Sequence, residues 1–362
     1  MTWSFPIDEE GGFIVIDKPK GPTSHQIDYW VRELTGIARV GHVGTLDPQA
    51  TGVLVMALGK STRLIDIAHE QSKEYVGIMK LHSNCDKERI EEVFREFTGE
   101  IYQLPPMRSA VARRIRSRKV FELELIEMKE RNILFRAKCE SGTYIRTLCV
   151  DIGYVLGSGA NMTDLRRTKS GIFTELQAVS MQAFSDAVEL SKAGKGDLLR
   201  SMFHDSTYIF RDNAKIVVKE SAVANISRGS DLYPGGIRRI IGEPLKNDRV
   251  MVSSESGRFL GTGIMLSNFT DISELKIVDF DRIMVDPKQS QNNPDAEIKE
   301  EQLATKVIKR DEKFMAEKNH HGIIKQKGDH MKENHPTERK VTIGTGNRRD
   351  LNQIIIAIQN LI

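Results

Sequence analysis

GHVGTLDPQATGVLVMALGKST, residues 41–62, holds one carboxylate, Asp47, among glycines and small polar residues, and then runs into an apolar stretch. Its last four residues look like the tail of a phosphate-binding loop. That motif requires a glycine five residues before the glycine of Gly59-Lys60, and position 54 is Leu54. Asp47-Pro48 is also an ordinary helix start, with Asp as N-cap and Pro at the first helical position. The neighbours argue for a third reading, a carboxylate on display. Gly41, Gly44 and Gly52 keep the backbone free of bulk, as close approach by a large flat ligand requires, and His42 and Thr45 add polar groups. No second acid stands nearby for a paired-carboxylate mechanism. A lone nucleophile fits better.

Outward from this stretch, FIVID (13–17) reads as a buried strand stopped by the turn chemistry of KPKGPTS. TSHQIDYWVRELTGI follows as a helix capped by Thr23 or Ser24, with Ile27, Trp30, Val31 and Leu34 at helical spacing. KEYVGIMKLH (73–82) and KVFELELIEM (119–128) have strand character. NILFRAKCE (132–140) alternates, with Ile133, Phe135, Ala137 and Cys139 on one face and Arg136, Lys138 and Glu140 mostly on the other. YIRTLCVDIGYVL (144–156) turns helical, which places Arg146 at a strand-to-helix junction. Strands and helices mix without a regular βαβ rhythm, so an α+β, mixed-sheet domain is expected over 10–212. Short strands and glycine-rich turns mark a separate small β-rich domain over 213–286. Residues 287–341 are charged and polar, with one aromatic, Phe314, and are expected to be disordered because they bury too little apolar surface to offset ordering. The four histidines of that tail, His320, His321, His330 and His335, are read as solvated surface rather than a metal tract. Residues 342–362 suggest a short terminal helix.

The 362 residues carry a formal net charge of only +3, so local clusters matter more than the total. Three cysteines without a CxxC pair argue against a disulfide framework and a structural zinc site, and suit a reducing cytoplasm. No leader pattern and no bilayer-length apolar run is read. Basic residues gather twice: Arg108, Arg113, Arg114, Arg116, Arg118 and Lys119, then Arg166, Arg167 and Lys169. Such clusters flanking a site suit phosphate contacts.

DKPKGPTSH, GHVGTLDPQATGVLVMALGKSTRL, KEYVG, PPMRSAVARRIRSR, GTYIRTL and LRRTKSGIF, in that order, resemble the tRNA pseudouridine synthase B family, and specifically its archaeal, dyskerin-like branch. VVKESAVANISRGSDLYPGGI resembles the PUA domain that this family carries. Val43 departs from the Gly or Thr expected there. The resemblance implies isomerisation of uridine to pseudouridine without a cofactor or metal. The substrate would be uridine 55 in the T loop of tRNA, guide-selected uridines in rRNA, or both. It implies Asp47 as nucleophile or ribose-directed base, Arg146 as its partner, and Tyr75 as a stacking platform and proton relay for a flipped-out base. It places His25, Lys18, Tyr144, Arg108, Arg113, Arg114 and Arg166 with the substrate, and Arg228, Gly229 and Gly235 with RNA at the PUA domain. Implied partners are tRNA, and on the guided route box H/ACA guide RNA, rRNA and the small archaeal H/ACA proteins. The competing class is a non-catalytic RNA-binding scaffold of such a particle, which the intact set Asp47, Tyr75 and Arg146 disfavours.

Overall fold

The computed structural model of the chain describes residues 11–106, 112, 114–271 and 276–285. The tail, the terminal helix, Arg108 and Arg113 lie outside the described residues. Strands β1 (Gly12–Lys18), β2 (Val40–Val43), β3 (Thr51–Leu58), β4 (Lys73–Leu81) and β5 (Gly99–Gln103) are followed by β6 (Arg116–Lys129), β7 (Asn132–Cys139), β8 (Ala160–Ser170), β9 (Phe173–Thr174) and β10 (Phe203–His204). With them come helices α1 (Ser24–Thr35), α2 (Ile65–Glu70), α3 (Lys87–Glu96), α4 (Ile145–Val155), α5 (Met181–Lys192) and α6 (Asp197–Ser201). A second group holds β11 (Lys215–Val218), α7 (Glu220–Ser227), β12 (Ile237–Ile241), β13 (Arg249–Ser254), β14 (Phe259–Met265) and β15 (Val278–Ile283). The first sheet runs β10-β1-β3-β8-β4-β7-β6-β5, with β2 on β3 and β9 on β8; the second runs β12-β11-β13-β14-β15. Each mixes parallel and antiparallel pairs, so the class is α+β.

Two sequence textures follow from where each strand sits. In β1 and β3 both faces are covered. Ile14, Ile16, Leu54, Met56 and Leu58 enter one core, and Phe13, Val15, Val53, Val55 and Ala57 enter another. A strand buried on both faces reads as an unbroken apolar run. In β7 only one face is covered. Ile133, Phe135, Ala137 and Cys139 are buried, while Arg136 and Lys138 lie opposite Glu124 and Glu122 on β6, at 2.6 and 3.1 Å. Those cross-strand pairs face water and contribute about 0.2–1 kcal/mol each.

Helix α1 is capped by Thr23, whose side chain accepts from the Gln26 amide while Gln26 returns to the Thr23 amide. Ile27 and Val31 are buried, but Trp30 is 40% exposed. The apolar stripe is therefore narrower than its spacing suggests.

The small sheet is not held by chain connectivity alone. Met251 and Met284 enter the core formed by Phe13, Val15 and Phe173, and the Phe210 and Phe259 rings lie 5.7 Å apart. Arg249 reaches Glu70, and Arg282 reaches Asp66 and the Arg63 carbonyl. Among the described residues no helix is long and apolar enough to cross a membrane.

Candidate active site

Asp47 does not start a helix. It leads into a turn, where the Ala50 amide donates to the Asp47 carbonyl at 3.0 Å. Buried groups tie this segment down. The Ser24 hydroxyl accepts from the Leu46 amide at 2.9 Å. The Lys18 ammonium donates to the carbonyls of Ala50 at 2.8 Å and Pro48 at 3.2 Å. Arg167 donates to the carbonyls of Val53 at 2.7 Å and Gly44 at 2.9 Å. Bonds from charged donors are among the stronger ones, about 1.5–3 kcal/mol each. The result is a fixed backbone from which the half-exposed Asp47 carboxylate projects.

Lys18 therefore differs from its expected place with the substrate. Its side chain is wholly buried and spent on backbone carbonyls. Burial lowers its pKa, as does the charge of Arg167, while Asp47 opposes. Of the three glycines, Gly44 lines the cavity, while Gly41 and Gly52 differ. A Cβ on Gly52, whose φ is +98°, would stand 2.3 Å from the Arg167 carbonyl oxygen, and one on Gly41 would strike Ile65. Both are small because neighbouring structure is close, not because a ligand approaches. Val43 is buried in the core beneath the second face of β3, so its departure from the family pattern lies away from the site.

The strand order assembles the rest. β8 lies between β3 and β4, with Arg167 opposite Gly52 on one side and Tyr75 on the other. The start of α4 then brings Arg146 across. Its guanidinium pairs with the Asp47 carboxylate, 99 positions away in the chain. Asp47, Tyr75, Tyr144 and Arg146 line one cavity of about 680 Å³, together with Lys73, His69, Arg116, Arg118 and Arg167. That volume is in the range of small-molecule sites.

Charge in this cavity is unevenly distributed. Burial pushes the Tyr75 phenol up, against the opposing effect of the adjacent Arg167 with which it hydrogen-bonds, so Tyr75 keeps its proton at neutral pH. Lys73 is held down to about 7, chiefly by burial and then by the charge of Arg167. Its amine donates to the carbonyls of His69 at 3.0 Å and Gln71 at 2.6 Å. Burial, then Lys73 and Arg167, lower the His69 pKa. Burial lowers that of Arg167 as well.

Other expected contacts stand elsewhere. Arg166, adjacent to Arg167, faces the other way and pairs with Asp17 and Glu175. Successive residues of a strand point to opposite faces, so only one of the pair enters the cavity. Arg114 is exposed and outside the cavity lining, as is His25, which pairs with Asp28. Arg228, Gly229 and Gly235 are exposed on the small domain, with Gly229 at φ +90° and open space around it. Reading the sequence missed Lys73 and His69. Lys73 lies two residues before Tyr75, and strand period places both on one face, a signal that was present.

Family models match most of the described residues, from 32 to 283. The TruB family pseudouridylate synthase N-terminal domain matches residues 32–145, the tRNA pseudouridylate synthase B C-terminal domain residues 146–210, and the PUA domain residues 214–283. A Thermoplasma volcanium protein named "Probable tRNA pseudouridine synthase B" is 55% identical over 287 residues, 79% of this chain and 81% of that one. A Picrophilus torridus protein of the same name is 53% identical over 275 residues, 76% and 79% of the two chains. The solved structure described as "Crystal Structure of a Cbf5-Nop10-Gar1 Complex" matches with a TM-score of 0.72 at 34% identity, covering 80% of this chain and 92% of that chain. "Structure of H/ACA RNP bound to a substrate RNA containing 2'-deoxyuridine" gives 0.71 at 32%, covering 79% and 90%. Likeness of this degree spans both sheets and the cavity on the first: the chain belongs to the TruB family of pseudouridylate synthases, enzymes of the isomerase class, and is built like Cbf5.

Proposed function

We propose that this enzyme isomerises uridine 55 in the T loop of tRNA, with Asp47 as the nucleophile. The observation that carries this reading is the Asp47–Arg146 ion pair at the wall of a cavity that also holds Tyr75. A uridine inside a folded loop reaches Asp47 only by leaving its stack. A cavity of about 680 Å³ has room for the flipped nucleoside. Arg146 orients the carboxylate toward it. In the reaction the N1–C1′ bond breaks, the uracil turns, C5 bonds to C1′, and C5 gives up its proton while N1 gains one. The Tyr75 ring offers a face for the turning base, and its protonated hydroxyl serves the proton exchange. Arg116, Arg118 and Arg114 hold phosphates, as do Arg228 and the loops at Gly229 and Gly235. His25 and Tyr144 stand with the incoming nucleotide. The enzyme would work in the cytoplasm.

A second route uses the same cavity inside an H/ACA particle, where guide RNA and partner proteins of the Nop10 and Gar1 kind select uridines in rRNA. It is favoured by the likeness to structures described as Cbf5 complexes, one of them with substrate RNA.

The test uses a T-loop transcript carrying tritium at uridine C5. Wild type is expected to release tritium alone. Asp47→Asn is expected to release none while binding RNA within a few-fold of wild type, because affinity comes mainly from phosphate contacts. Full turnover by Asp47→Asn would refute the nucleophile. Release only after guide RNA and partner proteins are added would select the second route.

A further inference from the structure

The first turn of α1 carries His25 and Asp28, three residues apart and therefore on one face. β2 brings His42 against them. Asp28 is buried, and its Oδ2 lies 2.8 Å from His42 Nδ1 and 3.3 Å from His25 Nδ1. The two rings meet edge to face with centroids 5.0 Å apart. All three ligand atoms lie within 4.8 Å of one another, the one such group of three among the described residues. None of the three residues lines the catalytic cavity.

We infer that His25, Asp28 and His42 form a binding site for a divalent cation of the zinc, cobalt(II) or nickel class. Hydrogen bonding within the triad leaves an unpaid remainder. Both imidazoles converge on one carboxylate oxygen, while Asp28 Oδ1 is buried and has no hydrogen-bond partner. An orphaned buried acceptor is costly. A cation taken by both oxygens satisfies it. Two imidazole nitrogens and a carboxylate are the donor set of borderline divalent ions, neither the thiolates that soft ions prefer nor the all-oxygen shell of magnesium or calcium. Zinc ligands stand about 2.0–2.2 Å from the metal, so neighbours in a tetrahedron are about 3.3 Å apart. The His25–Asp28 separation already has that value, and His42 needs to retreat by only a few tenths of an ångström. The outer support is present as well. Without a cation His42 Nδ1 donates to Asp28 Oδ2 and Nε2 accepts from the Thr45 hydroxyl at 3.0 Å; a cation at Nδ1 displaces that proton, and Nε2–H then donates to the same hydroxyl, which rotates to accept it. The exposed His25 side leaves a coordination position open to water. A bound ion would pin α1 to β2 and, through Thr45, brace the segment that ends in Asp47. The ligand spacings, 3 and 14 residues, match no common metal motif, which is why the sequence suggested none.

The experiment titrates chelator-treated, full-length protein with Co²⁺ and reads its visible d–d absorption. Saturable bands of low-symmetry, four- or five-coordinate Co²⁺ are expected. His25→Ala changes an exposed side chain and leaves the fold intact. It is expected to raise the half-saturating Co²⁺ concentration by about tenfold or more, the loss of one of three protein ligands. Asp28→Asn and His42→Ala should abolish the bands. The tail histidines supply the control: a chain with His320, His321, His330 and His335 all changed to Ala should keep them. Absence of bands from wild type overturns the inference. So does a signal that disappears with the tail histidines and survives His25→Ala.

Discussion

Lys73 offers a test of the cavity's electrostatics that reads stability rather than turnover. It is 3% exposed, and its pKa is lowered from 10.5 to about 7 by burial and by Arg167. Below about pH 7 the amine is protonated in both folded and unfolded chains, and the fold bears the full cost of a buried charge. As pH rises from there toward 10.5, the unfolded chain keeps a proton that the folded chain has shed. The unfolded state then binds more protons, so stability climbs by up to about 1.4 kcal/mol per pH unit. Between about pH 6 and about pH 9 the gain integrates to about 2–3 kcal/mol. Lys73→Met removes the titration and leaves two carbonyls short of a donor, a loss that does not depend on pH. Urea unfolding of both proteins at the two pH values measures the effect. The stability of wild type minus that of the variant should rise by about 2–3 kcal/mol at the higher pH, with slopes against urea unchanged. A difference that stays constant within about 0.5 kcal/mol would refute the reasoning, since Lys73 would then hold its proton throughout the range.

Tyr75→Phe keeps the ring and deletes the proton-bearing hydroxyl; tritium release should fall by about 10²-fold or more while RNA affinity holds, and undiminished release would reduce Tyr75 to a stacking face. Gly52→Ala drives a methyl group into the Arg167 carbonyl and should cost about 3 kcal/mol or more in a denaturant titration. Arg116→Gln and Arg118→Gln should each flatten the dependence of log affinity on log salt by about 0.7–0.9 in filter binding, the signature of one lost phosphate contact.

Much of the fold was legible because patterning reports solvent. The alternation of Ile133, Phe135, Ala137 and Cys139 announced a sheet with one wet face; the unbroken VLVMAL read only as an apolar run, and the structure makes it β3, a strand covered on both faces. Thr23, one of the two caps read, starts α1, while the reciprocal bond from Gln26 emerged only in the structure. What could not be read locally was which polar groups the interior would take. Lys18 and Arg166 were expected with the substrate, yet one props the Asp47 turn and the other sits in an ion pair with Asp17. Whether Arg166 or Arg167 enters the cavity depends on strand parity relative to partners far away in the chain. The Asp47–Arg146 pairing likewise came from family likeness, because nothing in either stretch names the other. Asp28, the hub of the cation site, looked like any helix-surface acid.

The shared core between the two sheets has a further meaning for RNA selection. Met251, Met284 and Phe259 weld the small domain to the larger one, and Arg249 and Arg282 pin its edge. A module on a slack tether would accept any RNA whose two contact points fall within a broad sphere. A welded module works as a calliper. On the proposed reading, RNA gripped at Arg228 would arrive with its target uridine at a distance fixed by protein packing, and substrates would be sorted by the length and pitch of the helix that joins grip to target. Selectivity of this kind needs no base to be read at all.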